Sequence, residues 1–364
     1  MLSTRQGLRR YVKKASVLYD KRGIRGLCGA VITKVKCACL PTIYRNSFLR
    51  RMHHPKLKTA FLELTNNCNL RCRMCNWQAR EKTGYISRSL FESCVNQFSE
   101  MELEVLNLEF GGESLLHKDF KAFLKYAVNK RDQGGIKMVG WTTNGMLFNQ
   151  DIADLVLSLK VDWINFSLDG VGQVNDNIRI GSKYSVVEKN IKYLVEKRGC
   201  AKKPIILLNI VDHGKTEDQK LEFFDEWVDY VDSIELIPSI LPNNTWENKN
   251  TLTKNIRTAP PPAFCKIPLD TIIVCWDGKV TGCCFDTRIK LVLGDATKES
   301  IKQIWNGSKF QDLRKAVVTN TFPVDSPCCG CEFWKVNFEP GSELTLNGKA
   351  RIEYNGIIRK IKRV

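Results

Sequence analysis

The sequence predicts an α/β protein, a partial (β/α)6 barrel followed by a small second domain. Between residues 59 and 238, apolar segments alternate with segments of helical periodicity. Each apolar segment is nearly continuous, as is typical of a strand that is buried on both faces of a parallel sheet. This alternation implies right-handed parallel crossovers. We count six such units, two fewer than a closed eight-stranded barrel contains, so we expect an open barrel.

The first domain is expected to have strands at residues 60–64, 105–110, 136–141, 163–168, 205–211 and 234–237. One of the helices between them is expected at 218–231, where apolar residues recur at spacings of three and four from Leu221 to Val231. Three successive prolines then interrupt the pattern, which is typical of a linker.

After the linker, the sequence predicts two short apolar strands on either side of a turn at 276–278. A single helix is expected at about 300–317 because its apolar residues keep a helical period.

The charge is concentrated at the two ends of the chain. Lys and Arg total 56 and Asp and Glu total 39, for a net charge of +17. Residues 1–58 contain 15 Lys or Arg and one acid, and residues 349–364 contain six and one, so the part between them is close to neutral. We therefore divide the chain into a basic extension (1–56), a core (57–240), a linker (241–263), a second domain (264–335) and a basic tail (336–364).

The 15 cysteines point to metal and not to disulfides. Their number is odd, and the N-terminus lacks the uninterrupted apolar segment of a secretory signal. We therefore expect a cytoplasmic, reducing compartment, in which clustered cysteines usually bind metal.

The first cluster, Cys68, Cys72 and Cys75, directly follows the first expected strand. Three thiolates within eight residues can bind three corners of an iron–sulfur cubane and leave the fourth iron open to a small molecule. The alternative is a zinc knuckle. Structural zinc sites need four ligands, usually in two separated pairs, and no fourth Cys or His is near in the sequence.

With this CxxxCxxC spacing the sequence resembles the radical S-adenosylmethionine (AdoMet) superfamily, over about residues 57–335. Further motifs follow at the ends of expected strands, the edge at which α/β folds bind ligands. They are Gly111-Gly112-Glu113, Thr143-Asn144-Gly145 and Ser167-Leu168-Asp169-Gly170. The resemblance implies that AdoMet is bound by Met74, Gly111, Gly112, Glu113, Asn144, Ser167, Asp169 and Arg179.

The same resemblance implies the chemistry. A [4Fe–4S] cluster would cleave AdoMet to a 5′-deoxyadenosyl radical, which abstracts a hydrogen atom from the substrate. An electron donor such as flavodoxin or ferredoxin is implied as a partner.

The second cluster resembles the auxiliary-cluster region called SPASM, in its shorter twitch form. Cys265, Cys283, Cys328 and Cys331 would supply four thiolates to a second [4Fe–4S] cluster. Cys284 and Cys329 adjoin these ligands and are left as spares, and Cys275 is expected to be buried in a strand. The alternative is a four-cysteine zinc ribbon.

No catalytic residue is assigned from the sequence. An oxidation would need a base, and the candidates are Glu63, Glu109, His117, Asp169, His213 and Glu235.

We expect oxidation of a carbohydrate-like or lipid-linked small molecule, with the auxiliary cluster accepting an electron. The alternatives are a maturase that modifies a ribosomal peptide or protein, and a non-catalytic Cys-metal scaffold.

Residues 1–58 combine basic with apolar residues. They are interpreted as a solvated arm, a docking surface for an acidic protein, or a segment that lies peripherally on a membrane. A nucleic-acid partner is not expected, because no aromatic-rich basic motif accompanies these charges.

Overall fold

The computed structural model describes residues 55–75, 80, 82–211, 215, 218–237, 265–324, 326–329 and 331 with their side chains. Residues 212, 217, 238, 343–346, 350–355 and 358–363 are described by their backbone. The basic segment 1–54, with the docking and membrane alternatives that rest on it, lies outside these residues, as do the linker 241–263 and His213.

The described residues build one sheet of twelve strands, in the order β10-β11-β12-β6-β5-β4-β3-β2-β1-β7-β8-β9. The strands are β1 Thr59–Leu62, β2 Leu103–Asn107, β3 Ile136–Thr143, β4 Trp163–Ser167, β5 Ile205–Asp212, β6 Ser233–Pro238, β7 Thr271–Val274, β8 Lys279–Thr281, β9 Gly294–Asp295, β10 Glu343–Leu346, β11 Ala350–Asn355 and β12 Ile358–Arg363. The helices are α1 Arg88–Glu100, α2 Phe120–Asp132, α3 Gln150–Ser158, α4 Gln173–Ile178, α5 Tyr184–Arg198, α6 Glu217–Trp227, α7 Ile267–Asp270, α8 Ile301–Asn306 and α9 Ser308–Thr319, and a 3-10 turn covers Ser114–Leu116.

Strands β1 to β6 are parallel and neighbours in chain order. The outer edge of β1 pairs with β7, and the outer edge of β6 pairs with β12. Because both edges are occupied, β1 and β6 do not pair with each other among these strands. The predicted open, partial barrel is therefore confirmed, and the six predicted strands agree with β1 to β6 to within a few residues.

Side chains alternate along the strands between the helix-covered face and the opposite, inner face of the sheet. On β5, Ile206, Leu208 and Ile210 are buried, whereas Leu207 and Asn209 between them are partly accessible. Aromatic contacts fill the helix side, with Phe91 of α1 stacked on Phe123 of α2 at a centroid distance of 4.0 Å. The inner face is thereby left for polar groups.

The second domain is joined to the core by strand pairing. Strand β7 lies parallel to β1 with Thr59 opposite Thr271 and Leu62 opposite Val274, and β7 and β8 form the predicted antiparallel pair around residues 276–278. The Trp305 indole also donates to the Pro55 carbonyl at 2.7 Å, just before β1.

The helix expected at 300–317 is wrong as a single element, because the chain forms α8 and α9 with a break at Gly307. Gly307 has an extended backbone conformation (φ −69°, ψ 162°) that ends one helix and begins the next. The apolar period continues across the break because both helices bury one face. Glycine is a poor helix former, so the chain can turn there at little cost.

The C-terminal stretch supplies the three strands β10 to β12, which extend the sheet antiparallel beyond β6. Their register aligns Leu344 with Ile352 and Ile352 with Ile361. Among the described residues, none of the helices has both the length and the apolar character that crossing a bilayer requires.

A capping box stabilises the start of α8. The Ser300 hydroxyl accepts from the Gln303 amide, and the Gln303 side chain accepts from the Ser300 amide at 2.9 Å. We expect Ser300→Ala to lower the free energy of unfolding by about 1 kcal/mol, because one backbone donor loses its partner. Urea denaturation checks this. Ser308→Ala, at the start of α9 where no side chain caps the helix, is the control. Equal losses in the two variants would contradict the role of the cap.

Candidate functional site

The first cysteine cluster lies in the loop that leaves the carboxyl end of β1. The Cys75 amide donates to the Cys72 carbonyl at 3.1 Å, and the Leu70 amide lies 3.4 Å from the Cys68 sulfur. The loop is held against the end of α4, because the Arg73 amide donates to the carbonyl of Ile178, its last residue, at 2.9 Å. The Arg71 amide donates to the Ile180 carbonyl at 2.8 Å. All three cysteines are outside disulfides, and all are partly accessible.

The three thiols lie within electrostatic reach of one another. Burial raises the pKa of Cys72 to about 11, with Cys75 and Cys68 adding to the shift and Arg179 opposing it. Burial also raises the pKa of Cys68, and Glu113 and Cys75 contribute. Thiols of this kind stay protonated at neutral pH unless a metal binds them. A set of three soft, partly accessible sulfur ligands on one loop fits the open four-iron cluster that the sequence predicts.

Gly112 and Glu113 lie directly beneath this loop. A Cβ atom at Gly112 would lie 2.3 Å from the Asn67 carbonyl oxygen, so only glycine allows this approach. The Glu113 amide donates to the same carbonyl at 2.8 Å. The turn after β2 is therefore packed against the segment that leads into Cys68.

The Glu113 carboxylate is buried and joins the ends of two strands. It accepts hydrogen bonds from the Asn144 amide at 2.8 Å and the Thr143 hydroxyl at 3.0 Å, and from the Leu115 amide at 3.2 Å. Burial raises its pKa despite these donors. A buried carboxylate with a raised pKa gains from a cationic partner such as an ammonium group.

Asn144 connects this carboxylate to the cysteine loop. Its side-chain amide donates to the Asn69 side chain at 2.8 Å and lies 3.8 Å from the Cys68 sulfur. Three of the sequence motifs, at Cys68, Glu113 and Asn144, are thus in contact. Met74 and Gly111, which are close to these residues in the sequence, are both buried. Ser167, at the end of β4, is partly accessible.

The Asp169 carboxylate contacts two cationic side chains and one backbone amide. The Arg179 Nε lies 2.8 Å from its Oδ2 as an ion pair without the alignment of a hydrogen bond, and the Lys215 ammonium lies 3.7 Å from Oδ1. The Val211 amide donates to Oδ1 at 2.9 Å. Since Arg179 also acts on the pKa of Cys72, Asp169 is placed to orient that arginine toward the cysteine loop.

The cysteines of the second set also lie within electrostatic reach of one another. Burial raises the pKa of Cys265 to about 12, and Cys331 and Cys328 add to the shift. Burial also raises the pKa of Cys283 well above its ordinary value, with Cys284, Cys265 and Cys328 contributing. The Cys331 amide donates to the Cys328 carbonyl at 3.2 Å. Four partly accessible thiols fit a closed four-cysteine cluster.

Cys284 also belongs to this group, although its position in the sequence predicts a spare cysteine. Burial raises its pKa to about 12, and Cys265, Glu109 and Cys331 add to the shift. Its immediate neighbour Cys283 was the only signal for it in the sequence. Cys275 is buried at the end of β7, as expected.

The ion pair between Glu63 and Arg80 was not predicted. Glu63 is fully buried and accepts two hydrogen bonds from Arg80 at 2.8 and 2.9 Å and one from the Trp276 amide at 3.2 Å. Arg80 also donates from Nε to the Thr287 carbonyl at 3.1 Å. This network joins the first cysteine loop to the second domain.

Most candidate bases are engaged with other groups. Glu63 and Asp169 form the ion pairs described above. The Nε2 of His117 lies 3.0 Å from the Ile86 carbonyl, and its Nδ1 accepts from the Asp119 amide. Glu109 is bound by the Thr142 side chain, and burial raises its pKa to about 8, with Glu113 and Glu63 adding to the shift.

Two family models match the chain. One, described as the radical SAM superfamily, matches residues 62–227. The other, described as an iron–sulfur cluster-binding domain, matches residues 265–332. Residues 62–227 therefore match the radical SAM superfamily, and residues 265–332 match an iron–sulfur cluster-binding domain. The predicted family, fold class and cofactors are therefore confirmed: an AdoMet-binding [4Fe–4S] core with an auxiliary iron–sulfur domain.

The chain covers most of the length of one curated relative and less than half of another. The tungsten-containing aldehyde ferredoxin oxidoreductase cofactor-modifying protein of Pyrococcus furiosus is 24% identical over 327 residues, which are 77% of this chain and 90% of that protein. The probable GTP 3′,8-cyclase of Methanococcus maripaludis is 28% identical over 144 residues, 39% of this chain and 46% of that protein.

Solved structures share the fold. BtrN in complex with AdoMet and 2-DOIA has a TM-score of 0.51 at 18% identity, over 75% of this chain and 91% of BtrN. SuiB of Streptococcus suis bound to precursor peptide SuiA has a TM-score of 0.60 at 14% identity, over 87% of this chain and 76% of SuiB. At these identities the likeness is one of fold.

Glu109 gives a prediction about pH. Its pKa is about 8 in the folded chain and 4.5 ordinarily. The folded state therefore holds an extra proton between these values, and stability falls as pH rises through this window. Glu109→Gln removes the ionisation. We expect its free energy of unfolding to exceed that of the natural chain by about 5 kcal/mol at pH 9, and by only about 1 kcal/mol at pH 5.

Urea denaturation from pH 5 to pH 9 measures this difference. Glu299→Gln, at an exposed position, is the control and should follow the natural chain. A constant difference between Glu109→Gln and the natural chain across the range would contradict the raised pKa.

Proposed function

We propose that this radical SAM enzyme oxidises its substrate by hydrogen-atom abstraction, with the second domain accepting the surplus electron. When bound, the core cluster supplies the electron that splits AdoMet into methionine and a 5′-deoxyadenosyl radical. The observation that carries the proposal is that Cys68, Glu113 and Asn144 are in contact through atoms on three separate strand ends.

The residues of the core would hold AdoMet as follows. Cys68, Cys72 and Cys75 bind the cluster and leave one iron open. The Glu113 carboxylate, buried and acidic, receives the amino group of AdoMet. Arg179, oriented by Asp169, faces the carboxylate of AdoMet. Gly111, Gly112, Asn144, Ser167 and Met74 complete the pocket.

The second domain would bind a closed auxiliary [4Fe–4S] cluster through Cys265, Cys283, Cys328 and Cys331. Removing a hydrogen atom and a proton from a substrate leaves one electron, which a closed cluster can accept without binding the substrate. The position of Cys284 within the same group makes it the alternative fourth ligand.

Glu109 is the proton acceptor that this arrangement favours. It follows β2 and lies within electrostatic reach of both Glu113, beside the first cysteine group, and Cys284 of the second. A base works best when its pKa is close to the operating pH, and that of Glu109 is about 8.

A carbohydrate-like or lipid-linked small molecule is the first candidate substrate. Four auxiliary cysteines can bind one additional cluster, and one cluster is sufficient to accept the single surplus electron of such an oxidation. Modification of a ribosomal peptide or protein is the second candidate. It is supported by the fold shared with SuiB, which was solved with a precursor peptide. The relative from Pyrococcus furiosus, named for modifying a cofactor of another enzyme, also supports a large or protein-bound substrate.

A flavodoxin or ferredoxin would supply the electron to the core. Residues 1–58 would dock the chain to an acidic protein or to the surface of a membrane, since they carry most of the net positive charge.

The test is anaerobic reconstitution of the full chain with iron and sulfide, followed by assay of AdoMet cleavage. We expect about eight irons per chain and formation of 5′-deoxyadenosine after reduction. Deuterium transfer into 5′-deoxyadenosine from labelled sugars or from a labelled peptide then separates the two substrate classes. Bound zinc with no AdoMet cleavage would support the scaffold alternative and overturn the proposal.

Cysteine variants separate the two clusters. We expect Cys72→Ala and Cys331→Ala each to lower the iron content from about eight to about four, since each removes a ligand of one cluster. Only Cys72→Ala should abolish AdoMet cleavage. Cys200→Ala, at an exposed free thiol, is the control. Cleavage that survives in Cys72→Ala would contradict the assignment of the core cluster.

A further inference from the structure

A cavity of about 710 Å³ lies between the first cysteine loop and the second domain. Asn66 and Lys82 line it on the side of the core, and Trp276, Arg288 and Val292 line it on the side of the second domain. Its volume is in the range of small-molecule sites, which often occur at the boundary between domains. None of the predicted AdoMet-binding residues is among the described residues that line it.

The charged groups of this cavity are mostly positive. Lys279 is paired with Asp277 at 3.0 Å, and Arg80 is paired with the buried Glu63. The other two cations, Lys82 and Arg288, are exposed, and neither has an acidic partner among the described residues. The cavity therefore presents two uncompensated cations to a ligand.

One wall of the cavity is apolar and is fixed by an unfavourable backbone conformation. Ile289 and Val292 line the cavity, and Val292 is 40% exposed. Ile289 has a φ of 51°, in the left-handed region that a β-branched residue rarely adopts. The buried Asp286 carboxylate imposes this turn, because it accepts from the Lys290 and Leu291 amides at 2.9 and 2.8 Å. Such strain is typical of functional loops.

The position of Trp276 is also fixed. Its amide donates to Glu63, and its ring packs so closely on Gly84 that a Cβ atom there would lie 2.3 Å from the indole. The cavity thus combines a rigid aromatic side chain and an aliphatic wall with two unpaired cations. A guanidinium and an ammonium group together match the charge of a phosphate dianion.

We propose that this cavity, between Lys82 and Arg288, binds a small organic phosphate, with the phosphate on the two cations and its apolar body against Trp276, Ile289 and Val292. Two uncompensated charges favour a dianion over a carboxylate. The ligand binds without depending on the proposed reaction, so failure of either proposal leaves the other intact.

The test is calorimetric titration of the reconstituted full chain with phenyl phosphate, in the presence of saturating AdoMet. We expect one site per chain with a dissociation constant in the millimolar range or below. Three related compounds should bind more weakly. Inorganic phosphate lacks the apolar body, phenol lacks the negative charge, and benzoate lacks the second negative charge. The affinity should fall with added salt.

Variants locate the site. Arg288→Glu and Lys82→Glu should each weaken phenyl phosphate binding about tenfold or more. Lys302→Glu, an equal change of charge at an exposed position outside the cavity, should leave it unchanged. Arg288→Gln and Lys82→Gln provide the same comparison without charge reversal, and thermal melting confirms that each variant is folded.

Four results would overturn the proposal: no binding of phenyl phosphate, equal binding by the cavity variants and Lys302→Glu, loss of binding when AdoMet is added, or benzoate binding as tight as that of phenyl phosphate. Either of the first two results would show that the cavity does not bind phenyl phosphate. The third would show that phenyl phosphate binds in the AdoMet pocket, and the fourth would show that the cavity does not prefer a phosphate.

Discussion

Parallel pairing between β1 and β7 is the constraint on which the arrangement of the two cysteine groups depends. The register sets Leu62 opposite Val274, and the Glu63 amide continues the ladder to the Val274 carbonyl at 2.9 Å. Because parallel strands end at the same edge of a sheet, the chain leaves β1 toward Cys68 and leaves β7 toward the turn into β8 at one edge. The second domain is therefore part of the core sheet and not a separate attachment.

The Glu63–Arg80 ion pair reinforces this junction. It is buried, with Nη1 of Arg80 contacting both carboxylate oxygens, and it is bound further to Trp276 and Thr287. It therefore ties the first cysteine loop to the β7–β8 turn and to the segment between β8 and β9. A buried pair of this kind contributes little net stability over apolar packing, but removing one partner costs about 3–5 kcal/mol. It fixes the geometry between the domains.

The carboxylates at this edge differ in the partners that the chain gives them. Glu63 and Asp169 are neutralised by arginine, and Glu113 is surrounded by hydrogen-bond donors of the chain. Glu109 has the Thr142 side chain and lies among other acids, which is why its pKa is raised. The same edge thus provides carboxylates that hold the structure, one suited to a cation, and one suited to exchanging a proton.

The sequence by itself determined the open α/β core, the two cysteine groups and the family, because these depend on local patterns: apolar strands, the spacing of Cys68, Cys72 and Cys75, and motifs at strand ends. It did not determine the break at Gly307, since both helices bury one face and the period is unbroken. Contacts between distant residues were decided by the tertiary structure alone. Arg80 lies 17 residues from Glu63 and 207 from Thr287, and Cys284 approaches Cys265 and Cys331 across the paired strands β7 and β8. Such contacts leave no periodic trace in a single sequence, because they arise from strand register and burial and not from local propensity.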